Sequence, residues 1–271
     1  MQTKTQQNIE TLVSKKAQNI EGSITMAISA LANQLKKEGK NVIGLSAGEP
    51  DFDTPQNIKE AGIQSIKDGK TKYTPASGIN ELREAVCEKL KKNNLEYTPE
   101  QVIISCGAKH SIYNILVAVL NPGDEVLIPT PYWVSYPHQT RMADGIPVYI
   151  ETTEAAQFKI TPQQIEASIT NKTKVLILNS PSNPTGMVYT KEELEAIAKV
   201  VVKHQILVIS DEIYEDLIYE GSHTSIASLN EEIKNLTIVV NGVSKAYSMT
   251  GWRIGYLAAD RKSTPSELQS P

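Results

Sequence analysis

Residues 174–210 read KVLILNSPSNPTGMVYTKEELEAIAKVVVKHQILVIS, and this stretch decides the fold class. Its first run, 174–178, is short and apolar, and so is its last, 206–210. Apolar runs without polar alternation mark strands buried on both faces of a sheet. Between them the pattern turns helical over 191–204. Thr190 stands at the N-cap, Glu193 at the capping-box position, and Leu194, Ile197 and Val201 share one face. A strand, a turn-rich loop, a helix and a second strand make a βαβ unit, whose two strands lie parallel.

The alternation continues outward from this unit. Strands are expected at 101–105, 125–128, 147–150, 174–178, 206–210, 237–240 and 253–258, with helical patterns at 109–120, 132–143 and 162–169. The expected class is therefore α/β, with a seven-stranded, mostly parallel sheet flanked by helices. The first hundred residues differ. An amphipathic helix over 24–37 places Ile28, Leu31 and Leu35 on one side, and a short strand is expected at 42–45. A Gly/Pro/Asp-rich loop follows at 46–55, then helices at 56–68 and 79–93. The tail 261–271, RKSTPSELQSP, loses the alternation and is expected to be disordered.

Composition narrows the class of protein. The 271 residues are 40% hydrophobic and 21% charged, an ordinary globular balance. No apolar run approaches the roughly 18 residues of a spanning helix, and the polar N-terminus has no secretory apolar region. A net charge of -4 gives no footing for nucleic-acid binding. The two cysteines, Cys87 and Cys106, are too few for a disulfide framework and point to a reducing, cytoplasmic setting. The histidines, at 110, 138, 204 and 223, lack the spacing of metal ligands, so no metal is expected.

Five segments bring chemistry to the carboxyl ends of expected strands, the edge where open α/β sheets bind ligands. In 241–253, NGVSKAYSMTGWR, Lys245 follows a buried strand and is placed for imine chemistry, while Arg253 could clamp a phosphate. In 209–214, ISDEIY, Asp211 could hold a heteroaromatic nitrogen protonated and Tyr214 could donate to an oxygen of the same ring. In 179–186, NSPSNPTG, the prolines and Gly186 fix Asn183 rigidly. In 105–109, SCGAK, Gly107 and Ala108 let an anion approach a helix start. In 129–136, PTPYWVSY, Trp133 could stack on a planar ring. Singly, each has a plain structural reading: a surface ion pair, a helix cap, a turn, a strand–helix junction, a core tryptophan. Neither a dinucleotide glycine fingerprint nor a P-loop occurs. Together the five segments suit a phosphorylated pyridine aldehyde.

These residues also carry a resemblance. Segments 46–55 (SAGEPDFDTP), 73–78 (YTPASG), 131–133 (PYW), 183–186 (NPTG), 211–214 (DEIY) and 244–255 (SKAYSMTGWRIG) resemble, in order and spacing, the fold-type I pyridoxal-phosphate enzymes. Within these the chain is most similar to the class I/II aminotransferases, in the bacterial-type aspartate aminotransferase branch. The resemblance implies pyridoxal 5'-phosphate as cofactor. It implies that Lys245 forms the imine and shuttles the proton, that Asp211 pairs with the ring nitrogen, and that Tyr214 and Asn183 hold the ring oxygen. Trp133 would stack on the ring. Gly107, Ala108, Lys109, Ser244 and Arg253 would hold the phosphate, with Tyr73 reaching the phosphate of a neighbouring subunit in a homodimer. Gly48, with Trp133 and Asn183, would bind substrate, and Ser23–Thr25 would lie near its entrance.

The implied reaction is a ping-pong transfer of an amino group from an L-amino acid, aspartate favoured, to a 2-oxo acid, 2-oxoglutarate favoured. The implied domain plan is an N-terminal arm and small-domain segment at 1–47, a cofactor-binding large domain at 48–260 and a tail at 261–271 outside the family pattern. Against that family pattern the resemblance implies that roughly a domain's worth of C-terminal sequence is absent here, with an incomplete small domain and without the family's arginine for the substrate's α-carboxylate as the expectation. Two alternatives follow: a cofactor-binding remnant or mixed-dimer partner without turnover, and a different reaction on the same cofactor.

Overall fold

The computed structural model describes residues 12–18, 24–45 and 48–260. The chain divides into two units, 1–50 and 51–271. The first holds α1 (Lys15–Gln18) and α2 (Ile24–Lys37), whose last turn carries Lys36 and Lys37 at the negative end of the helix dipole. The strand expected at 42–45 does not form. Ile43 and Leu45 are 83% and 91% exposed, and a strand requires a ladder partner for its backbone, which this segment lacks among the described residues.

The second unit opens with α3 (Gln56–Lys67) and α4 (Asn80–Lys91) and then alternates. In order come β1 (Val102–Ser105), α5 (Ala108–Val119), β2 (Glu125–Pro129), α6 (Ser135–Met142), β3 (Ile146–Ile150), α7 (Pro162–Ser168) and β4 (Thr173–Asn179). There follow α8 (Lys191–His204), β5 (Leu207–Asp211), α9 (Glu231–Asn235), β6 (Thr237–Gly242) and β7 (Gly255–Ala258). The seven strands form one sheet in the order β1-β7-β6-β5-β4-β2-β3. Strands β2 to β6 pair in parallel, and β7 runs antiparallel to both β1 and β6.

The period-2 geometry of the strands sorts the apolar runs onto two faces. Val175 and Ile177 of β4 join Ile112, Ile115, Val126, Ile128 and Ile209 on one side. Leu176 and Leu178 join Leu127, Val208, Leu194, Ile197 and Val201 on the other. The capping box forms as the sequence requires: the Glu193 N–H donates to Thr190 Oγ1 at 3.2 Å and the Thr190 N–H to Glu193 Oε2 at 2.7 Å.

Two boundaries shift in ways that matter for the site. The last strand begins at Gly255, not 253, because Arg253 adopts a left-handed φ of 55° after a single 3-10 turn over Thr250–Trp252. Helix α6 begins at Ser135, which leaves Tyr132 and Trp133 in the loop ahead of it. The chain also reverses its direction of travel across the sheet between β2 and β4. That reversal opens a crevice at the carboxyl ends of the strands, lined by Ile128, Tyr132, Tyr136, Asn179 and Asn183.

Candidate active site

Asp211 is the last residue of β5 and is only 3% exposed. Its partners are neutral: the Tyr136 hydroxyl donates to Oδ2 at 2.7 Å and the Ile213 N–H to Oδ1 at 3.3 Å. Burial pushes the Asp211 carboxyl up to about 6, against the pull of these two donors, and the neighbouring Glu212 charge adds to the rise. Burial, with Asp211 beside it, also raises the Tyr136 phenol well above its ordinary range.

The loop after β4 stands next to this acid. Asn179 donates through Nδ2 to the Asp211 carbonyl at 2.9 Å and accepts the Asn183 N–H on its own Oδ1 at 2.7 Å. Asn183 Nδ2 in turn points at the Tyr214 hydroxyl, 3.4 Å away. Burial raises the Tyr214 phenol, Asp211 adds to this, and Asn183 opposes it. The Lys245 ammonium, in the turn after β6, lies 5.6 Å from the centre of the Tyr214 ring. Acid, phenol, amide and amine thus come from three adjacent parallel strands. The Lys245 turn is tied down from outside the sheet, since Thr54 Oγ1 donates to the Ser248 carbonyl at 2.6 Å and accepts from Trp252 Nε1 at 3.1 Å.

A second feature is a cradle at the start of α5. Gly107, at φ 93°, caps the helix, and a Cβ there would fall 2.4 Å from Arg253 Nη2. A Cβ on Gly255 would fall 2.4 Å from the Ala108 nitrogen. Backbone excludes a side chain at Gly255, so β7 packs directly under the helix's first turn; at Gly107 the positive φ disfavours one, and the Arg253 guanidinium lies beside it. Arg253 is held by the Thr250 carbonyl at 2.7 Å and the Cys106 carbonyl at 3.4 Å. Backbone N–H groups at a helix start next to a guanidinium make a site for a multiply charged anion. Burial, with the Arg253 charge, lowers the Lys109 ammonium below its ordinary value. Ser244 is buried beside Lys245.

Trp133 meets Tyr136 edge-on at 5.4 Å between centroids, and the Lys109 ammonium sits 4.8 Å above its ring. Tyr73 is fully exposed. Gly48 belongs to the first unit, as do Ile24 and Thr25, and Ser23 lies outside the described residues. The tail 261–271 also lies outside them.

Two features beside the candidate site lay outside the sequence-based expectations. Tyr136 stands three residues after Trp133, one helical turn on, and that spacing was the available sign that it faces the same site. The other is a buried cluster of Glu212, Glu215 and His223, whose ligand atoms lie within 4.8 Å of one another. Its members are spread over a loop, and the spacing of the histidines gave no sign of it.

The donor set fits a flat, phosphorylated, cationic heteroaromatic ring. A buried acid with neutral partners suits a ring N–H⁺, the phenol and amide suit a ring oxygen, and the cradle suits a dianion. The sheet and its flanking helices match the fold of the fold-type I pyridoxal-phosphate aminotransferases. The chain belongs to the aminotransferase class I and II family, whose sequence profile matches residues 40–269. Enzymes of this family depend on pyridoxal phosphate. The chain is 55% identical over 251 residues to the aspartate aminotransferase of Bacillus sp. (strain YM-2), a match that covers 92% of this chain and 64% of that one. It is 51% identical over 253 residues to the asparagine–oxo-acid transaminase of Streptococcus mutans, covering 92% and 64%. The solved aspartate aminotransferase of Thermus thermophilus with maleate superposes with a TM-score of 0.89 at 46% identity, over 95% of this chain and 65% of that one. The chain therefore spans about 64% of the length of the curated relatives it matches.

Proposed function

We propose that this chain binds pyridoxal phosphate and transfers an amino group between an L-amino acid, aspartate favoured, and a 2-oxo acid, 2-oxoglutarate favoured, in a ping-pong sequence. The observation that carries the reading is the buried Asp211 carboxyl, with neutral partners only, set beside Tyr214, Asn183 and the Lys245 amine. Bound there, the cofactor supplies an aldehyde that condenses with amines and a pyridinium ring that withdraws electrons from the substrate's α-carbon.

The remaining work falls to the chain's own side chains. Asp211 holds the proton on the ring nitrogen, and Tyr136 fixes the carboxylate that does so. Tyr214 and Asn183 hold the ring oxygen, and Arg253 with the α5 start holds the phosphate, joined by Gly107, Ala108, Lys109 and Ser244. Trp133 covers one ring face and keeps water from it. Lys245 Nζ would carry the proton between the substrate's α-carbon and the cofactor's C4′, in one direction in the first half of the cycle and in the other in the second. Gly48 contributes to substrate binding through its backbone.

We also propose a homodimer, in which Tyr73 completes the phosphate site of the neighbouring subunit. Its full exposure supports this, as does the apolar surface of Ile63, Ile66 and Trp252 around Gly62. A cytoplasmic location agrees with the unpaired Cys87 and Cys106. No described helix is long and apolar enough to cross a membrane.

The test is an absorbance spectrum of the purified chain with pyridoxal phosphate, before and after excess aspartate. A visible band that bleaches with aspartate is the expected result. A band indifferent to every amino acid tried would make the chain a cofactor-binding protein without turnover. No band at all would overturn the cofactor assignment.

A further inference from the structure

Opposite Asp211, on the other face of β5, lies a network of ionisable groups that the proposed chemistry does not use. Glu212 is 1% exposed. Its Oε1 accepts from Ser210 Oγ at 2.8 Å and from Ser225 Oγ at 2.6 Å, and its Oε2 lies 3.0 Å from His223 Nε2. Its own N–H donates to the Val240 carbonyl at 2.9 Å. His223 and Ser225 lie 11 and 13 residues downstream, so this one carboxylate closes, at its base, the loop that carries Tyr214. His223 Nδ1 is buried without a hydrogen-bond partner, so among the described residues the imidazole is held through Nε2.

Glu215, the residue after Tyr214, has further partners besides His223 Nε2, which lies 3.9 Å from its Oε2. Asn241 Nδ2 of β6 donates to its Oε1 at 2.8 Å, Asn93 Nδ2 donates to its Oε2, and the Lys89 ammonium of α4 pairs with Oε1. Hydroxyl, amide and ammonium donors thus occupy the carboxylates of the Glu212–Glu215–His223 cluster. These contacts make it a clasp. Its two acids fall on either side of Ile213 and Tyr214, and Glu212 directly adjoins Asp211.

We infer that Glu212, held by His223 and Ser225, is a positioning residue that sets Asp211 and Tyr214 against the cofactor ring from the far side of the sheet. The inference rests on the cofactor reading of Asp211 and Tyr214. Pinning both the main chain and the side chain of residue 212 fixes the strand end, and the closed loop denies Tyr214 the freedom to swing away. Preorganisation of this kind shows in how firmly a ligand's orientation is held as well as in stability.

The test compares the full chain with its Glu212→Gln, His223→Gln and Ser225→Ala variants, with Glu166→Gln as a control in an exposed ion pair. Three quantities are measured: the dissociation constant for pyridoxal phosphate by tryptophan fluorescence, the induced circular dichroism of the bound cofactor at saturation, and the unfolding midpoint of the ligand-free chain. Glu212→Gln and His223→Gln are expected to weaken cofactor binding about tenfold, the scale of one charge-assisted hydrogen bond, and to diminish the induced dichroism even at saturation. Ser225→Ala removes one donor, keeps the His223–Glu212 contact, and should move both quantities in the same direction by less. It carries the test should the other two fail to fold. A lowered unfolding midpoint with unchanged dichroism at saturation would mean a purely structural clasp and overturn the inference. Absence of any cofactor signal in the unsubstituted chain would overturn the proposed function, and this inference with it.

Discussion

Asp211 is the residue on which the site turns, and its chemistry predicts a stability profile. Its ordinary value is 3.8 and its buried value about 6. Below the lower figure the carboxyl is protonated whether the chain is folded or not. Between the two, the folded ligand-free chain keeps a proton that the unfolded chain has released, so stability falls as pH rises. Above about 6 the loss is complete, at about 3 kcal/mol. Asp211→Asn keeps the shape and removes the titration. Urea unfolding of the ligand-free variant should show a flatter profile between pH 4 and 6 and a gain of up to ~3 kcal/mol near neutrality, while affinity for pyridoxal phosphate falls. An unchanged pH profile would mean that Asp211 is not the strained group. Lys245 carries the companion prediction: Lys245→Ala should bind the cofactor without the visible band of the lysine-bound form. A variant that keeps that band sinks the assignment.

At the scale of elements, the anion cradle depends on how closely β7 passes beneath the start of α5. Gly255 lets the strand approach to a distance where any Cβ would meet Ala108 N at 2.4 Å. Backbone, not a flexible side chain, blocks that space. Gly255→Ala should therefore push the helix start away from Arg253. We expect cofactor affinity to drop by at least tenfold and stability to fall by roughly 1–3 kcal/mol, the cost of overpacking. Calorimetric titration with pyridoxal phosphate, paired with thermal unfolding, separates the two effects. Helix α8 offers a contrasting case. Thr190→Ala removes the N-cap of α8, a residue with no part in the site's contacts, so it should cost about 1 kcal/mol in urea unfolding and leave cofactor affinity alone. A change in affinity would show that capping of α8 couples to the loop after β4.

At the scale of the whole molecule, stability comes from a sheet covered on both faces. Leu176 is fully buried on the α8 side and Ile177 nearly so on the α5 side. Truncation of Leu176 to alanine should cost about 2–5 kcal/mol, enough to endanger a marginally stable chain, with a fall in urea midpoint as the measure. The proposed homodimer makes a separate prediction. If Tyr73 of one copy completes the phosphate site of the other, cofactor affinity must weaken on dilution through the dimer's dissociation range. Sedimentation and fluorescence titration over the same concentrations would show this, and concentration-independent binding would count against a shared site.

The seven strands and their helical crossovers were legible in the sequence because both signals are local. Continuous apolar runs and helical periodicity follow from which face a residue must bury, and β4, β5 and α8 form where those patterns lie. That Lys245, Asp211, Asn183 and Tyr214 gather at one sheet edge was legible for the same reason, since each sits at or just beyond the end of a strand, with Arg253 just ahead of the last one. The strand expected at 42–45 failed because a strand exists only with a neighbour, and the start of the last strand moved because Arg253 turns left-handed. Tertiary structure alone decided what lies across space. It set Tyr136 on Asp211, brought Gly255 beneath Ala108, and gathered Glu212, Glu215, His223 and Lys89 behind the site. These contacts join residues from different elements, and no periodicity in a single chain segment encodes the distance between two of them.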